Sequence, residues 1–222
     1  MAKPYFRYIP EVNYVDRRPD SSLNETNTVK NFFRRGKVRQ DILENVAYFT
    51  KYTIFGDDRP DNVAFKVYGD STLDWVVLMA NNIMNVQSEW PQTQQQFDEY
   101  LLRIYGSYEN IYSIKHYKSR EVKNTVGATI FPEGLIVDED FSLTFYDDEE
   151  QRYQIISDIA QPVTNYEYEQ EIEDAKRQIF VLKPLYLGII LDDMENIIKY
   201  QKGSTQYVSE TLINADNIRL YN

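Results

Sequence analysis

Apolar residues recur in several different rhythms along this chain, and each rhythm predicts an element. Val63, Phe65 and Val67 alternate as in a strand, Gly69-Asp70-Ser71 marks a turn, and Thr72 is placed to cap a helix running to Asn82. A second helix is expected after Pro91-Gln92-Thr93. There Thr93 and Gln96 have the spacing of a capping box, Phe97, Tyr100, Leu101 and Ile104 recur at i, i+3, i+4 and i+7, and Gly106 follows. A strand is expected from Tyr112 to Tyr117, so the order is strand, helix, helix, strand. Laid out at about 100° per residue, the first helix puts Leu73, Val76, Val77 and Ala80 on one arc and Trp75, Leu78, Met79 and Asn82 on the opposite one. Only Asp74 and Asn81 form a polar stripe. A helix apolar nearly all round is covered on both sides, here by a partner subunit or by the chain's own flanking segments.

The first thirty residues mix aromatics with turn formers (Pro10, Asn13, Pro19, Asp20, Asn24), which predicts an extended arm with little core of its own. Then come a basic cluster, Arg34, Arg35, Lys37 and Arg39, and an apolar run from Ile42 to Phe55. Residues 107–165 predict strands and turns, at 129–137 with a break at Pro132-Glu133-Gly134, at 141–146 and at 152–156. Beyond an acidic stretch, Ile179 to Leu182 is a short apolar run. An amphipathic helix follows, with Leu187, Ile190, Leu191, Met194, Ile197 and Ile198 on one stripe. Ile179, Val181, Leu187, Leu191, Met194 and Ile198 are the expected buried positions of one C-terminal piece.

Composition narrows the function classes. A 42% apolar chain of 222 residues can bury a real core, and 19 Tyr beside 11 Phe and 2 Trp raise the weight of protein interfaces. A net charge of −11, from 35 acidic and 24 basic residues, argues against a phosphate backbone as partner. With no cysteine, thiolate catalysis, zinc fingers and disulfides are excluded. No secretory signal or membrane-spanning run is seen, so a soluble protein made in a cytoplasm is expected, and the sequon at Asn24 carries little meaning.

Candidate chemistry is sparse. His116 is the single histidine and sits in an expected strand, so a triad or a multi-histidine metal site has no partners for it. The runs Asp138-Glu139-Asp140 and Asp147-Asp148-Glu149-Glu150 lack the spacing of a calcium loop and flank strands, where solvated turns that discourage edge pairing are the simpler reading. No phosphate-binding glycine pattern occurs. Catalytic residues, metal ligands and cofactors are all expected to be absent.

The stretch Val63 to Asn82, with its Gly69-Asp70-Ser71-Thr72 turn, resembles a LysM motif. A wider resemblance rests on Arg59-Pro60, Tyr68-Gly69, Leu73, Trp75-Val76, Leu78-Met79, Asn81-Asn82, Trp90 and Tyr105, and on the distal block Glu171 to Ile179 followed by an apolar strand and a helix. These residues, in this order, resemble the baseplate wedge protein of T-even-like contractile-tailed phages that carries a LysM-like segment. The resemblance implies a non-enzymatic virion subunit, assembled in the host cytoplasm into the tail baseplate. Such proteins bind the core wedge heterotrimer and help link the neighbouring wedge into a six-fold ring. The sheath-initiating wedge subunit is a further candidate partner, and nucleic acid and membrane are not expected as partners.

The expected fold is α+β: an N-terminal arm and connecting segment (1–58), a LysM-like strand-helix-helix-strand unit (59–117), a β-rich region (118–165), and a C-terminal strand plus amphipathic helix (166–222). Trp75, Leu78, Met79, Asn82 and Trp90 are the candidate partner-binding residues. The competing reading is a LysM-type module that binds N-acetylated cell-wall glycan through Gly69, Asp70, Ser71 and Thr72 and through the loop Gly106 to Asn110. A carboxylate-dependent glycosidase would rest on the acidic pairs alone.

Overall fold

A computed structural model describes residues 3–16, 18, 20–22, 25–203 and 205–215. Pro19 and Asn24, and with Asn24 the sequon, lie outside them. The fold is α+β, as expected. The elements begin with α1 (Tyr5–Tyr8), β1 (Glu11–Val15), β2 (Thr26–Lys30), α2 (Gln40–Leu43), β3 (Phe49–Thr53), α3 (Pro60–Tyr68), α4 (Asp74–Ala80) and α5 (Val86–Glu89). They continue with α6 (Gln94–Tyr105), α7 (Tyr108–Ile111), β4 (Ile114–Ser119), β5 (Val122–Lys123), β6 (Thr129–Phe131), β7 (Ile136–Val137), β8 (Leu143–Asp147), β9 (Arg152–Ile156), β10 (Ala160–Thr164) and α8 (Asn165–Lys176). The chain closes with β11 (Gln178–Leu182), α9 (Leu187–Ile197), β12 (Tyr207–Ser209) and β13 (Leu212–Asn214). Among the described residues no helix is long and apolar enough to cross a membrane.

Two compact units share these elements: unit 1 takes residues 1–90 and 178–222, and unit 2 takes residues 91–177. Unit 1 holds an antiparallel pair of strands remote in sequence, β11 with β3, and a four-stranded sheet in the order β12-β13-β1-β2. Its core gathers Val63, Ala64, Trp75, Val76, Val77, Ile179, Val181, Leu182, Ile190, Met194 and Ile198. Of the C-terminal stripe, Ile190, Met194 and Ile198 are buried and Leu187 and Leu191 pack partly exposed against the same core, whereas Ile197 is 41% exposed.

Two expectations for this unit are corrected. The alternation Val63, Phe65, Val67 is not a strand; it lies inside α3. Pro60 occupies the first helical turn after an extended Arg59, Asp61 complements the helix N-terminus, and Gly69 ends the helix at φ 75° with its N–H donating to the Phe65 carbonyl at 2.9 Å. Val63, Ala64 and Val67 then share the inner face, while Phe65 is 61% exposed. Three alternating residues are too few to fix a period against such end signals, and without the strand the strand-helix-helix-strand order is not formed. The N-terminal arm, for its part, does contribute core. Tyr8 and Ile9 are buried, and β1 is an inner strand, antiparallel to β2 and parallel to β13. Its partner is remote in sequence: the Asn13 side chain donates to Asn214 Oδ1 at 2.9 Å across 201 positions, a pairing that local pattern cannot reveal.

Unit 2 carries the expected capping box at Thr93 and Gln96, and Gly106 ends α6 at φ 78°. Phe97, Leu101 and Ile111 form its small core, whereas Ile104 faces outward. A second capping box, Thr164 with Glu167, starts α8, so the acidic stretch is a helix. The remaining strands make three small sheets, β10-β4-β7, β5-β6 and β8-β9.

Candidate partner-binding face

The candidate face is built on α4, and the turn before it is held by Asp70. Its carboxylate accepts from Thr72 N–H at 2.9 Å and from the Thr72 hydroxyl at 2.7 Å, starting a 3₁₀ turn at Ser71–Leu73 that runs into α4. Asp70 thus caps the 3₁₀ turn, and the cap expected of Thr72 is not formed, since α4 starts after Leu73 without a side-chain cap. These hydrogen bonds hold the Asp70 carboxyl below its ordinary pKa. Asp74 moves the other way: burial raises it, although Trp75 N–H donates to it at 2.8 Å.

Of the residues expected to meet a partner, two are covered by this chain. Trp75 is 4% exposed, with the rings of Tyr5 and Tyr8 at 6.1 and 5.5 Å from its own. The N-terminal segment therefore covers Trp75, but not the rest of the outer arc. Trp90 is also buried, and its Nε1 donates to the Asp58 carbonyl at 2.9 Å. Leu78 and Met79 are half-buried at the rim of the core. Asn82 is exposed and takes φ 53°, the left-handed conformation asparagine tolerates, as the chain leaves α4. Gly69, Ser71 and Thr72 are exposed, and Asp70 is half-buried.

In unit 2, His116 lies in β4 opposite Val163, its ring edge-on to Tyr168 at 5.8 Å, and its Nε2 meets no partner among the described residues. Asp147, the first residue of the longer acidic run, is buried beneath the β8–β9 turn. Burial alone would raise its carboxyl, but hydrogen bonds from the Thr125 hydroxyl at 3.1 Å and from Glu149 N–H at 3.1 Å outweigh that and lower it. It is a fixed structural acceptor, and Asp148 and Glu149 beside it are solvated. Among the described residues no group of three or more His, Asp or Glu side chains is arranged to hold a metal ion.

Two exposed aromatic clusters were not singled out from the sequence. Phe6, Phe32 and Phe33 stand open on unit 1, and Tyr146, Tyr153 and Ile155 on unit 2. The signal for the first was Phe32-Phe33 set between a turn former and two arginines, with no periodic partner.

Comparison with curated proteins finds no match for this chain. Comparison with family models does: residues 5–194, reaching through both compact units, match the family described as Base plate wedge protein 53. The chain belongs to that family of phage baseplate wedge proteins.

Proposed function

We propose that the chain is a non-catalytic structural subunit that binds the core wedge heterotrimer, contacts the neighbouring wedge and so helps join wedges into the baseplate ring. The sheath-initiating wedge subunit is a further partner, and assembly takes place in the host cytoplasm before the protein takes its place in the virion tail. The observation that carries this reading is the reach of the family match, residues 5–194, which takes in nearly every element of both units and is not confined to one motif. The outward rim of α4, made of Leu78, Met79 and Asn82, is the contact face offered to a wedge protein. Trp75 and Trp90 are buried in the core that Leu78 and Met79 border. No specific observation favours glycan binding, since the strand that its first loop would follow is helix α3.

Co-expression with the core wedge proteins tests this. The full chain is expected to co-purify with them, and Met79→Glu with Asn82→Arg is expected to weaken retention at least about tenfold, the loss of a central contact. Retention equal to wild type by a folded variant removes the α4 rim from the interface. No co-purification by the wild-type chain overturns the reading. Clearing of peptidoglycan on a zymogram overturns its non-catalytic part.

A further inference from the structure

The charge of this chain is divided unevenly. Unit 1 has 17 acidic and 16 basic residues, whereas unit 2 has 18 acidic and 8 basic ones, so almost the whole net charge of −11 belongs to unit 2. Within unit 1 the run from Lys30 to Arg39 contains five cations and no acid. Arg34, Arg35 and Lys37, with Arg7 on α1, have no carboxylate partner among the described residues. Arg34 instead donates to the carbonyls of Ile197 and Lys199 and lies over the Tyr200 ring at 4.9 Å.

Aromatic rings crowd the same place. Phe33 is wholly exposed and Phe32 is 70% exposed, and Phe6 stands edge-on to Phe32 at 5.8 Å. Phe33 and Arg34, with Asn31, Tyr200, Gln201 and Ile213, line an open recess of about 500 Å³. Three exposed phenylalanines beside cations that lack a carboxylate partner among the described residues are costly on an isolated surface, although Arg34 is held by the Ile197 and Lys199 carbonyls and Arg35 by Met84 Sδ, and such patches mark contacts.

Unit 2 presents the complement. Among the described residues strands β8 and β9 pair only with each other, and one face of this hairpin carries Thr144, Tyr146, Tyr153 and Ile155. Tyr146 and Tyr153 are cross-strand neighbours with ring centres at 5.2 Å, and Tyr153 and Ile155 are both 73% exposed. The turn joining the strands holds Asp148 and Glu149, exposed and without a cationic partner among the described residues.

We propose that the basic aromatic patch of unit 1 receives the acidic β8–β9 hairpin of a second copy of this chain. Tyr153 and Ile155 of one copy pack on Phe32 and Phe33 of the next, with a tyrosine ring entering the recess beside Arg34, while Asp148 and Glu149 face Arg35 and Lys37. The contact joins unlike surfaces, so each copy keeps one of each kind free for a further neighbour. This self-contact is independent of the α4 rim and of binding to the core wedge proteins.

Sedimentation velocity of the full chain, at loading concentrations from about 1 to 200 µM, tests it. Association is expected to rise with concentration, and to weaken at least about tenfold between low and high salt, because exposed charges are screened. Phe33→Glu and Tyr153→Glu are each expected to leave a folded monomer. The decisive pair is Arg35→Glu with Lys37→Glu in one chain and Asp148→Lys with Glu149→Lys in another. Each alone is expected to be monomeric, and an equimolar mixture is expected to associate, since every reversed surface then meets an opposite charge. A wild-type chain that is monomeric at every concentration, association indifferent to salt, or charge reversals that the mixture does not rescue would each overturn the proposal.

Discussion

The side-chain amide of Asn81 takes the place of a neighbouring strand for Phe180: its Oδ1 accepts the Phe180 N–H at 2.8 Å and its Nδ2 donates to the Phe180 carbonyl at 2.8 Å. The same Nδ2 also donates to the Val77 carbonyl at 2.8 Å, which ties the end of α4 to β11. The opposite edge of β11 is filled by β3, where Lys183 N–H continues the ladder to the Tyr48 carbonyl. Asn81 therefore closes the edge that β3 leaves open, and only an amide supplies a donor and an acceptor at that spacing.

Asn81→Ala removes the partner of both Phe180 backbone groups, which water partly replaces at this exposed position, and is expected to cost about 0.5–1.5 kcal/mol of stability. Asn81→Asp keeps the acceptor but loses the donor and sets a charge against two carbonyls, so it is expected to be at least as harmful. Urea unfolding of the two variants measures this, and a midpoint unchanged from wild type in both would show that the amide pairing contributes nothing.

Trp75→Ala is expected to cost about 3–5 kcal/mol, because a large buried ring gripped by Tyr5 and Tyr8 leaves a cavity that the core cannot fill. Trp75→Phe is expected to cost much less. The Trp75 Nε1 is buried with no partner among the described residues, so its removal offsets part of the lost packing. A melting temperature for Trp75→Ala near that of wild type would mean that the N-terminal segment does not hold this ring in solution.

The periodicity of α6, its terminal Gly106, the Thr93 box and most of the C-terminal stripe were legible because each is written in residues within a few positions of one another. In contrast, α3 and its terminal Gly69 were not, three alternating residues having suggested a strand. The role of Asn81 was not, since a lone asparagine at a helix end looks like a polar stripe until β11, 99 positions away, is set beside it. β1 was hidden for the same reason, with its parallel partner β13 at the far end of the chain. On the outer arc of α4 only Trp75 is covered within the chain, and periodicity has no means of telling an intrachain cover from a partner. The exposed clusters of unit 1 and unit 2 lie outside any period, and only exposure reveals them.

Asp16 gives unit 1 an acid-sensitive joint. It is 4% exposed at the end of β1, and hydrogen bonds from the Arg18 side chain, then from its backbone N–H, lower its carboxyl to about 2 despite the opposing effect of burial. A folded pKa below the ordinary 3.8 means that the ionised form stabilises the fold fully above that value. The contribution fades as pH falls from 3.8 towards 2. Asp16→Asn is expected to flatten the fall in stability across that window. A variant whose stability declines as steeply as wild type between pH 4 and pH 2, about two units on the scale, would assign the acid sensitivity to other carboxylates.

Both tryptophans of the chain, Trp75 and Trp90, are buried in unit 1, so tryptophan emission reports on that unit alone while tyrosines report on both. Unit 1 is discontinuous: residues 178–222 bring β11, α9, β12 and β13 to a framework laid down by residues 1–90. A fragment ending at Arg177 strips β3 and Asn81 of β11 and removes Met194 and Ile198 from the core. Met194 is also the side chain that closes over Gly36, where an added Cβ would collide with it, so the fit on that side is tight. The fragment is accordingly expected to show red-shifted, solvent-quenched tryptophan emission and no cooperative melt by that probe. Unit 2 is contiguous, from residue 91 to residue 177, with its own capping boxes and core, and its far-UV signal is expected to remain. A fragment with blue-shifted emission and a single cooperative transition would mean that residues 1–90 fold without the C-terminal strand and helix, which would make the C-terminal elements an addition to the core of unit 1.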